Sequence, residues 1–334
     1  EIAGDPFARL EQQTARDIGL PAPADLYQPE RINSTGFDIN EPGQLAQLLQ
    51  ARKPFLEPYQ WRSTHEADGQ NVISPANPSD SVGMISQADP AQVPAMVDTA
   101  TAAFSGWRQI PIEARAAILG RAAELYEENR GEILALLARE AGKTLADAIA
   151  ELREAVDFLR YYAAQGPRAM SRRESRGVIV CISPWNFPLA IFTGQVAAAL
   201  VTGNTVIAKP AEQSALIAHR AVQWLHHAGI GADVLQLAAG SGETVGAALT
   251  AHPQIAGVCF TGSTQVARLI ERQLADSANA DAMLIAETGG LNAMVVDSTA
   301  LPEQAVRDIV TSAFQSAGQR CSALRMLYVQ QEKL

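Results

Sequence analysis

The sequence predicts an α/β protein: a parallel sheet preceded by helices and followed by the start of a second α/β domain. Three observations lead to this prediction. From residue 176 onward, short apolar strands alternate with helices, which is typical of a parallel sheet covered on both faces. Between residues 92 and 165, apolar side chains recur every three or four positions, as on amphipathic helices. A chain of 334 residues is also long enough for about two domains.

Composition excludes several classes of protein. The formal net charge of −10 and the absence of a basic patch argue against a nucleic-acid partner. No uncharged apolar run is long enough to span a bilayer, and no signal peptide opens the chain. Three scattered cysteines, at 181, 259 and 321, suit neither a disulfide framework nor a zinc site. We therefore expect a cytoplasmic protein without a bound metal.

The N-terminal part divides into an arm and a helical region. Residues 1–58 are rich in Pro, Gly, Asn and Gln, which predicts a linker or arm with short helices at 7–18 and 43–52. Two short strands are expected at 71–74 and 81–85. Three or four helices follow between 92 and 165, and Gly106, Pro111 and Gly142 are expected to separate them.

From residue 176 the alternation predicts a Rossmann-type sheet. Strands are expected at 178–182, 205–208, 234–237, 257–260 and 283–286, and helices at 189–201, 214–227, 246–251 and 264–275. Such sheets bind ligands beyond the carboxyl ends of their strands, so we expect chemistry directly after each strand. We divide the chain into the arm at 1–58, a ligand-binding domain that contains the sheet at 59–287 and the start of a further domain at 288–334.

Cys321, in the segment Gly318-Gln319-Arg320-Cys321-Ser322, is a candidate nucleophile. The preceding arginine and local backbone N–H groups would favour the ionised thiolate, which is the reactive form. The alternative for a lone cysteine is a small buried apolar residue. Cys181 and Cys259 lie inside predicted apolar strands, and we interpret both as core residues. Whether Cys321 is a nucleophile or a small buried apolar residue depends on whether other polar groups are suited to act together with its sulfur.

Two further side chains at strand ends suit a nucleophilic cysteine. Asn186, between Pro184 and Pro188, could direct its amide toward negative charge on a carbonyl oxygen; the alternative is that it caps the following helix. Glu287 ends the fifth predicted strand and precedes paired glycines. We expect it to be buried there and to act as a general base.

Three stretches after strand ends indicate a dinucleotide site. Lys209 and Glu212 could hydrogen-bond ribose hydroxyls, and the acidic residue would repel a 2′-phosphate and so favour NAD over NADP. The alternative is a surface ion pair that contributes little. Segments 240–246 and 260–264 each lead into a helix, whose free N–H groups suit phosphates. The glycine spacing of the first departs from the usual dinucleotide fingerprint.

Together, a thiol nucleophile, an amide donor, a carboxylate base and a dinucleotide site suit the oxidation of an aldehyde. The Cys321 sulfur would add to the carbonyl, Asn186 and the Cys321 N–H would hold the oxyanion, and hydride would pass to the nicotinamide. Glu287 would then activate the water that hydrolyses the resulting thioester.

The order of these motifs resembles the aldehyde dehydrogenase superfamily, from about residue 60 to residue 334. The motifs are Pro184-Trp185-Asn186-Phe187-Pro188, Lys209-Pro210-Ala211-Glu212, Phe260-Thr261-Gly262-Ser263, Glu287-Thr288-Gly289-Gly290 and Gly318-Gln319-Arg320-Cys321. The longer sequence segments around three of these motifs, at 181–192, 285–293 and 318–325, resemble the L-glutamate-γ-semialdehyde (Δ1-pyrroline-5-carboxylate) dehydrogenase domain of the bifunctional proline utilization A family. The resemblance implies an aldehyde dehydrogenase-like fold and NAD-dependent oxidation of L-glutamate γ-semialdehyde to L-glutamate.

The resemblance also implies roles for the residues that match motif positions. It implies Cys321 as nucleophile, Asn186 as oxyanion donor and Glu287 as the base at the thioester stage. The positions for which it implies cofactor contacts are Ile182, Ser183, Pro184, Trp185, Lys209, Glu212, Gly242, Gly246, Thr261, Gly262, Ser263, Val266 and Gly289. Those for which it implies a semialdehyde pocket are Phe187, Arg320, Ser322 and Glu154. An arginine beside a hydroxyl suits a substrate carboxylate.

The same resemblance carries expectations about a longer parent chain. The arm resembles the connector after a proline dehydrogenase domain, which would lie upstream, so FAD is not expected here. The sequence stops 13 residues after Cys321, and segment 165–176 is shorter than the family's β-hairpin insertion. A substrate-anchoring loop and a dimerisation strand would therefore be missing. Homo-oligomerisation and activity stay open, with another ω-semialdehyde dehydrogenase or an inactive fragment that at most binds NAD as alternatives.

Overall fold

The computed structural model describes residues 21–63, 69–171, 173–277, 279 and 281–331. Its first elements are helix α1 (Pro42–Arg52) and a small sheet of β1 (Trp61–Arg62), β2 (Gln70–Ile73) and β3 (Ser81–Ile85), with β3 in the middle. The predicted helix at 43–52 and both predicted strands are confirmed. The predicted helix at 7–18 lies outside the described residues.

Four helices follow the small sheet: α2 (Val93–Gln109), α3 (Ile112–Glu128), α4 (Arg130–Ala141) and α5 (Leu145–Ala169). Pro111 separates α2 from α3, as predicted. Gly142 ends α4 in the left-handed conformation (φ +66°), which residues with a side chain rarely adopt. Gly106 lies inside α2, so the prediction that it separates helices is wrong. A Cβ at Gly106 would meet nothing within 4 Å, so packing does not require a glycine at this position of the helix.

A five-stranded parallel sheet forms the centre of the molecule, as predicted. Its strands lie in the order β6-β5-β4-β7-β8. Central strands are buried because helices cover both faces. The strands are β4 (Val178–Ile182), β5 (Thr205–Lys209), β6 (Leu235–Leu237), β7 (Ile255–Gly262) and β8 (Met283–Thr288), and the helices between them are α6 (Ala190–Val201), α7 (Ala215–Ala228), α8 (Ala247–Ala251) and α9 (Thr264–Asp276).

Three elements follow the central sheet: β9 (Asn292–Val296), α10 (Pro302–Phe314) and β10 (Leu324–Val329). Strands β9 and β10 pair in parallel, and no residue of α10 is buried. We interpret these elements as the start of a second α/β domain, and the proposed division of the chain into domains stays a prediction. None of the described helices is long and apolar enough to cross a membrane.

Helix α6 is apolar on nearly all sides and lies between the sheet and α5. Phe192 on α6 is fully buried. Gly194 lets the two helices approach closely, because a Cβ there would come within 3.0 Å of the ring of Phe158 on α5. The first turn of α6 is therefore held at a fixed place above the sheet.

The predicted arm contacts the helical region. Arg31 pairs with Asp157 of α5 at 2.7 Å, and Asp157 also accepts the Ser34 hydroxyl at 2.7 Å. The Thr35 N–H donates to Glu127 of α3 at 2.8 Å. These contacts, of which the two to Asp157 are partly buried, fix this part of the arm against α3 and α5.

Glu140 of α4 caps a helix other than its own. Its two carboxyl oxygens accept the N–H groups of Leu216 and Ile217, at 2.7 and 2.8 Å, in the first turn of α7. Burial raises the pKa of Glu140 to about 8, although the two N–H donors act in the opposite direction. The carboxyl group of Glu140 therefore keeps its proton well above the pH at which a glutamate carboxyl group ordinarily loses it.

We predict that Glu140 makes the stability of the fold depend on pH. The folded state binds a proton that the unfolded state releases at its ordinary pKa of 4.5, so the contribution is complete below that value and is lost as the pH rises to about 8. In urea unfolding series at pH 5, 6, 7 and 8, the free energy of unfolding of the unmodified chain should fall as the pH rises, by up to ~1.4 kcal/mol per pH unit because of Glu140. The variant Glu140→Gln should lack this contribution to the slope.

The exposed Glu303 provides the matched control, Glu303→Gln, which should keep the slope of the unmodified chain. An unchanged slope in Glu140→Gln would contradict the assignment of the titrating group.

Candidate active site

The strand order places a crevice at the carboxyl ends of β4 and β7. The chain leaves β4 toward β5 on one side and later enters β7 on the other, so the loops after β4 and β7 diverge, as at ligand sites of open parallel sheets. Gln195 of α6 spans the crevice: Nε2 donates to Thr261 Oγ1 at 3.0 Å and to the Ile182 carbonyl at 3.4 Å. The sequence analysis missed Gln195, because one glutamine within an apolar helix carries no signal by itself.

Ser183 follows β4 directly and lies at this crevice. The residue is buried, and its Oγ has no hydrogen-bond partner within the described chain. Buried hydroxyl groups are nearly always hydrogen-bonded, so this oxygen is available to a ligand. The assignment of Ser183 to a binding site stays a prediction.

Lys209 and Glu212 lie together at the end of β5. Lys209 is only 3% exposed, and its Nζ lies 3.4 Å from Glu212 Oε1 and 3.0 Å from the Pro210 carbonyl. Burial lowers the pKa of Lys209, while Glu212 opposes this shift. Burial acts against the charge of Glu212 too, but backbone N–H donors and Lys209 outweigh it and lower the pKa of Glu212. The alternative of a surface ion pair is wrong, because the amine is buried.

The glycine-rich segment before α8 lies against this pair. The Gly242 N–H donates to Glu212 Oε1 at 2.6 Å, and Ser241 Oγ accepts the N–H groups of Glu243 and Thr244. The prediction that free N–H groups here suit phosphate is therefore wrong, because protein oxygens already occupy them. Gly246 faces Lys209, since a Cβ there would lie 3.5 Å from the lysine stem. The segment thus contacts both members of the pair, Glu212 through the Gly242 N–H and Lys209 through Gly246.

The second glycine-containing segment, at 260–264, spans the end of β7 and the start of α9. Ser263 caps α9 by accepting the Val266 N–H at 3.2 Å. Gly262 allows a close approach, because a Cβ there would come within 2.6 Å of the Phe260 ring. Trp185 is 46% exposed and lines a cavity of about 450 Å³ together with Asn186 and Gln319. Direct contacts of the remaining predicted cofactor positions, Pro184 and Gly289 among them, stay predictions.

The structure brings Asn186 to the loop of Cys321. Asn186 Nδ2 donates to the Gln319 carbonyl at 2.7 Å. Cys321 is exposed, so the alternative of a small buried apolar residue is wrong. Its carbonyl accepts Asn292 Nδ2 at 2.6 Å, which ties the loop to the start of β9. Asn292 was missed because its partner lies 29 residues further along the chain.

The alternative role of Asn186 as a helix cap is also wrong. Helix α6 begins at Ala190, and the N–H groups of Leu189 and Ala190 donate to Glu151 Oε1 of α5, at 2.9 and 3.2 Å. A buried glutamate therefore satisfies this helix start, and the side chain of Asn186 is free of that role.

Glu287 is the penultimate residue of β8 and lies next to Thr261 of β7 in the register of the sheet. It is exposed, so the prediction of burial is wrong: β8 is the edge strand of the sheet and pairs only with β7 within the described chain. None of the described hydrogen bonds or ion pairs joins Glu287 to Asn186 or Cys321. The structure therefore places Glu287 on the same edge of the sheet without bringing it into contact with the nucleophile.

Three of the predicted pocket residues form a cluster. The Arg320 guanidinium carbon lies 5.4 Å from the centre of the Phe187 ring, and Arg320 Nε is buried without a hydrogen-bond partner among the described groups. Desolvation raises the pKa of Glu154 and the charge of Glu151 adds to this, while Arg320 opposes it. Ser322 is exposed beside Cys321. Within the described residues, no cluster of His, Cys, Asp and Glu could hold a metal ion.

We predict that Cys321 is the most reactive thiol of the native chain. Cys181 is buried and Cys259 is partly buried, whereas Cys321 is exposed. Brief treatment with iodoacetamide, followed by mass spectrometry of peptides, should label Cys321 first and the other two cysteines only after unfolding. Cys321→Ala should abolish the fast reaction and the control Cys259→Ala should keep it. A fast reaction that survives in Cys321→Ala would contradict this accessibility.

Comparisons with known proteins agree on one family. The sequence profile of the "Aldehyde dehydrogenase family" matches residues 61–333. The bifunctional protein PutA of Klebsiella aerogenes is 48% identical, and the match covers 99% of this chain and 27% of that protein. The 1-pyrroline-5-carboxylate dehydrogenase of Anoxybacillus flavithermus is 42% identical over 75% of this chain and 52% of its own length.

A solved structure shares the fold. The crystal structure of 1-pyrroline-5-carboxylate dehydrogenase from Thermus with bound NAD matches with a TM-score of 0.86 at 31% identity, over 91% of this chain and 64% of that one. The present chain spans 27% of the length of its bifunctional relative. The family profile extends over most of the sequence, from residue 61 to residue 333. The chain therefore belongs to the aldehyde dehydrogenase family.

Proposed function

We propose that the chain carries the cofactor crevice and the nucleophile of an NAD-dependent L-glutamate γ-semialdehyde dehydrogenase of proline catabolism. The observation that carries this proposal is the hydrogen bond from Asn186 Nδ2 to the Gln319 carbonyl, because it joins an amide donor to the loop that carries the exposed Cys321. Family membership supports the reaction class. The names of the relatives, PutA and 1-pyrroline-5-carboxylate dehydrogenase, support the substrate, since pyrroline-5-carboxylate is the cyclised semialdehyde.

Cys321 would supply the nucleophile. A C–S bond forms between its sulfur and the aldehyde carbon, and the carbonyl electron pair moves onto the oxygen. Asn186 Nδ2 and the Cys321 N–H can donate to that oxygen once Nδ2 releases the Gln319 carbonyl. The oxyanion is a stronger acceptor than a neutral carbonyl, so this exchange favours the transition state.

NAD, when bound, accepts the hydride lost by the aldehyde carbon, which is thereby oxidised by two electrons to a thioester of Cys321. Glu287 would then take a proton from water as that water attacks the thioester. The C–S bond breaks, and the carboxylic acid and the thiolate of Cys321 are released. The exposure of Glu287 gives water free access to its carboxylate.

The crevice suits NAD as the cofactor. Lys209 and Glu212 would hold the adenine ribose, and the missing side chain of Gly246 leaves space beside the lysine stem. The unpartnered Ser183 hydroxyl supplies a further polar contact in the crevice. The negative charge of Glu212 opposes a 2′-phosphate, so we propose NAD rather than NADP. The Thermus relative with bound NAD supports this choice.

The cluster at Phe187 suits a substrate that bears a carboxylate. Arg320 keeps one N–H without a partner among the described groups, and a carboxylate would satisfy it. Phe187 would pack against the aliphatic part of the semialdehyde, while Ser322 and Glu154 provide further polar groups. Another ω-semialdehyde would also carry a carboxylate and is the nearest alternative substrate.

A second candidate function is a segment that binds NAD without turnover. The exposed position of Glu287, away from Asn186 and Cys321 within the described contacts, favours it. In either case we propose that the parent chain carries a proline dehydrogenase domain upstream, as the relationship to PutA supports, and that FAD belongs to that domain. Homo-oligomerisation and a cytoplasmic location stay predictions.

We predict that the chain forms NADH with pyrroline-5-carboxylate in preference to succinate semialdehyde, measured by absorbance at saturating NAD. Cys321→Ala should abolish turnover while NAD binding, measured by quenching of tryptophan fluorescence, is retained. NAD binding without turnover in the unmodified chain would favour the second candidate. A preference for succinate semialdehyde would contradict the proposed substrate.

We also predict that Asn186→Ala lowers kcat by about 10²- to 10³-fold, because one oxyanion donor is lost. NAD affinity should stay unchanged, since Asn186 faces the nucleophile rather than Lys209 and Glu212. Asn40→Ala, an exposed asparagine near α1, is the matched control and should keep full activity. A loss of less than about threefold in kcat would argue against Asn186 as oxyanion donor.

A further inference from the structure

Lys143 lies in the turn between α4 and α5, directly after Gly142. Its side chain is 7% exposed, and its Nζ lies 2.5 Å from the Asn186 carbonyl and 3.1 Å from Glu151 Oε2. The contact with Glu151 is an ion pair whose angles fall short of hydrogen-bond geometry. Ser316, in the turn before Cys321, is the third neighbour of the ammonium, at 3.5 Å. One buried charge thus contacts the loops of both Asn186 and Cys321.

Glu151 extends this contact along the loop of Asn186. Its Oε1 accepts the N–H groups of Leu189 and Ala190, at 2.9 and 3.2 Å. Lys143 holds the carbonyl at the front of the same loop, at Asn186, and its Nζ lies 4.8 Å from the centre of the Phe187 ring. The backbone on both sides of Phe187 is therefore fixed by one ion pair.

Protein groups surround the ammonium of Lys143. It donates to the Asn186 carbonyl and to Ser316 Oγ, and it pairs by charge with Glu151. Burying this pair is costly unless each charge is satisfied, and replacing such pairs by apolar residues often leaves stability unchanged. The pair is thus better explained by the geometry it imposes than by stability.

We propose that Lys143 is a positioning residue, which with Glu151 holds the loop of Asn186 against the loop of Cys321. The placement of the two loops follows from contacts on the chain itself. Its kinetic consequence rests on the proposed function, because it assumes that Asn186 donates to the oxyanion of a Cys321 adduct.

The test compares Lys143→Met with Lys143→Arg and with Lys53→Met, an exposed lysine after α1 that serves as the matched control. Lys143→Met should lower kcat by about 10- to 100-fold, since small misplacements of a reacting group cost up to that much. The dissociation constant of NAD should change by less than about twofold, because Lys209 and Glu212 keep their own contacts. Lys143→Arg should recover part of kcat.

Hydrogen exchange provides a measurement that does not depend on turnover. Amides of residues 184–190 and 315–322 should exchange faster in Lys143→Met and at the unmodified rate in Lys53→Met. If the unmodified chain forms no NADH, the proposed function fails while hydrogen exchange still decides the positioning role.

Combining Lys143→Met with Glu151→Gln separates positioning from stability, because no unpaired charge is then left buried. The double variant should recover the melting temperature but neither kcat nor the slow exchange. If the double variant recovers kcat, or if exchange in Lys143→Met is unchanged in both segments, the proposal is wrong.

Discussion

Helices α6 and α7 both begin on a carboxylate that belongs to another helix. Glu151 of α5 accepts N–H groups at the start of α6, and Glu140 of α4 accepts those at the start of α7. The first N–H groups of a helix have no hydrogen-bond partner within that helix. At these buried sites water cannot take the place of such a partner. Because α6 and α7 follow the segments that leave β4 and β5, these two contacts determine where the loop of Asn186 and the segment after Lys209 lie.

Charges are buried near the carboxyl edge of the sheet only where a partner meets them. Lys143 pairs with Glu151, and Lys209 pairs with Glu212, which in turn holds the Gly242 N–H. Between these sites, β4 and β5 are built from apolar side chains and contribute no charge until Lys209. An unpaired buried charge would cost several kcal/mol. Each pair therefore constrains the relative positions of the two segments that carry its members.

Much of the fold could be predicted because strand and helix periods are local properties of the sequence. The alternation after residue 176 predicted every strand of the central sheet, with differences only at element ends. The rule that chemistry follows parallel strands led to Asn186 and to the pair of Lys209 and Glu212. The free N–H groups expected at Gly242 were wrong, because Glu212, 30 residues earlier, already accepts one of them.

The sequence by itself determined the parallel sheet, the family motifs and the candidates Cys321, Asn186 and Glu287, because each depends on residue types at short spacings. Only the tertiary structure decided that Cys321 is exposed, that Glu287 is not buried, and that Lys143 and Glu151 hold the loop of Asn186. A lysine in a turn and a glutamate on a helix are both typical of solvated positions. What buries them here is packing against elements more than 30 residues away, which no local pattern specifies.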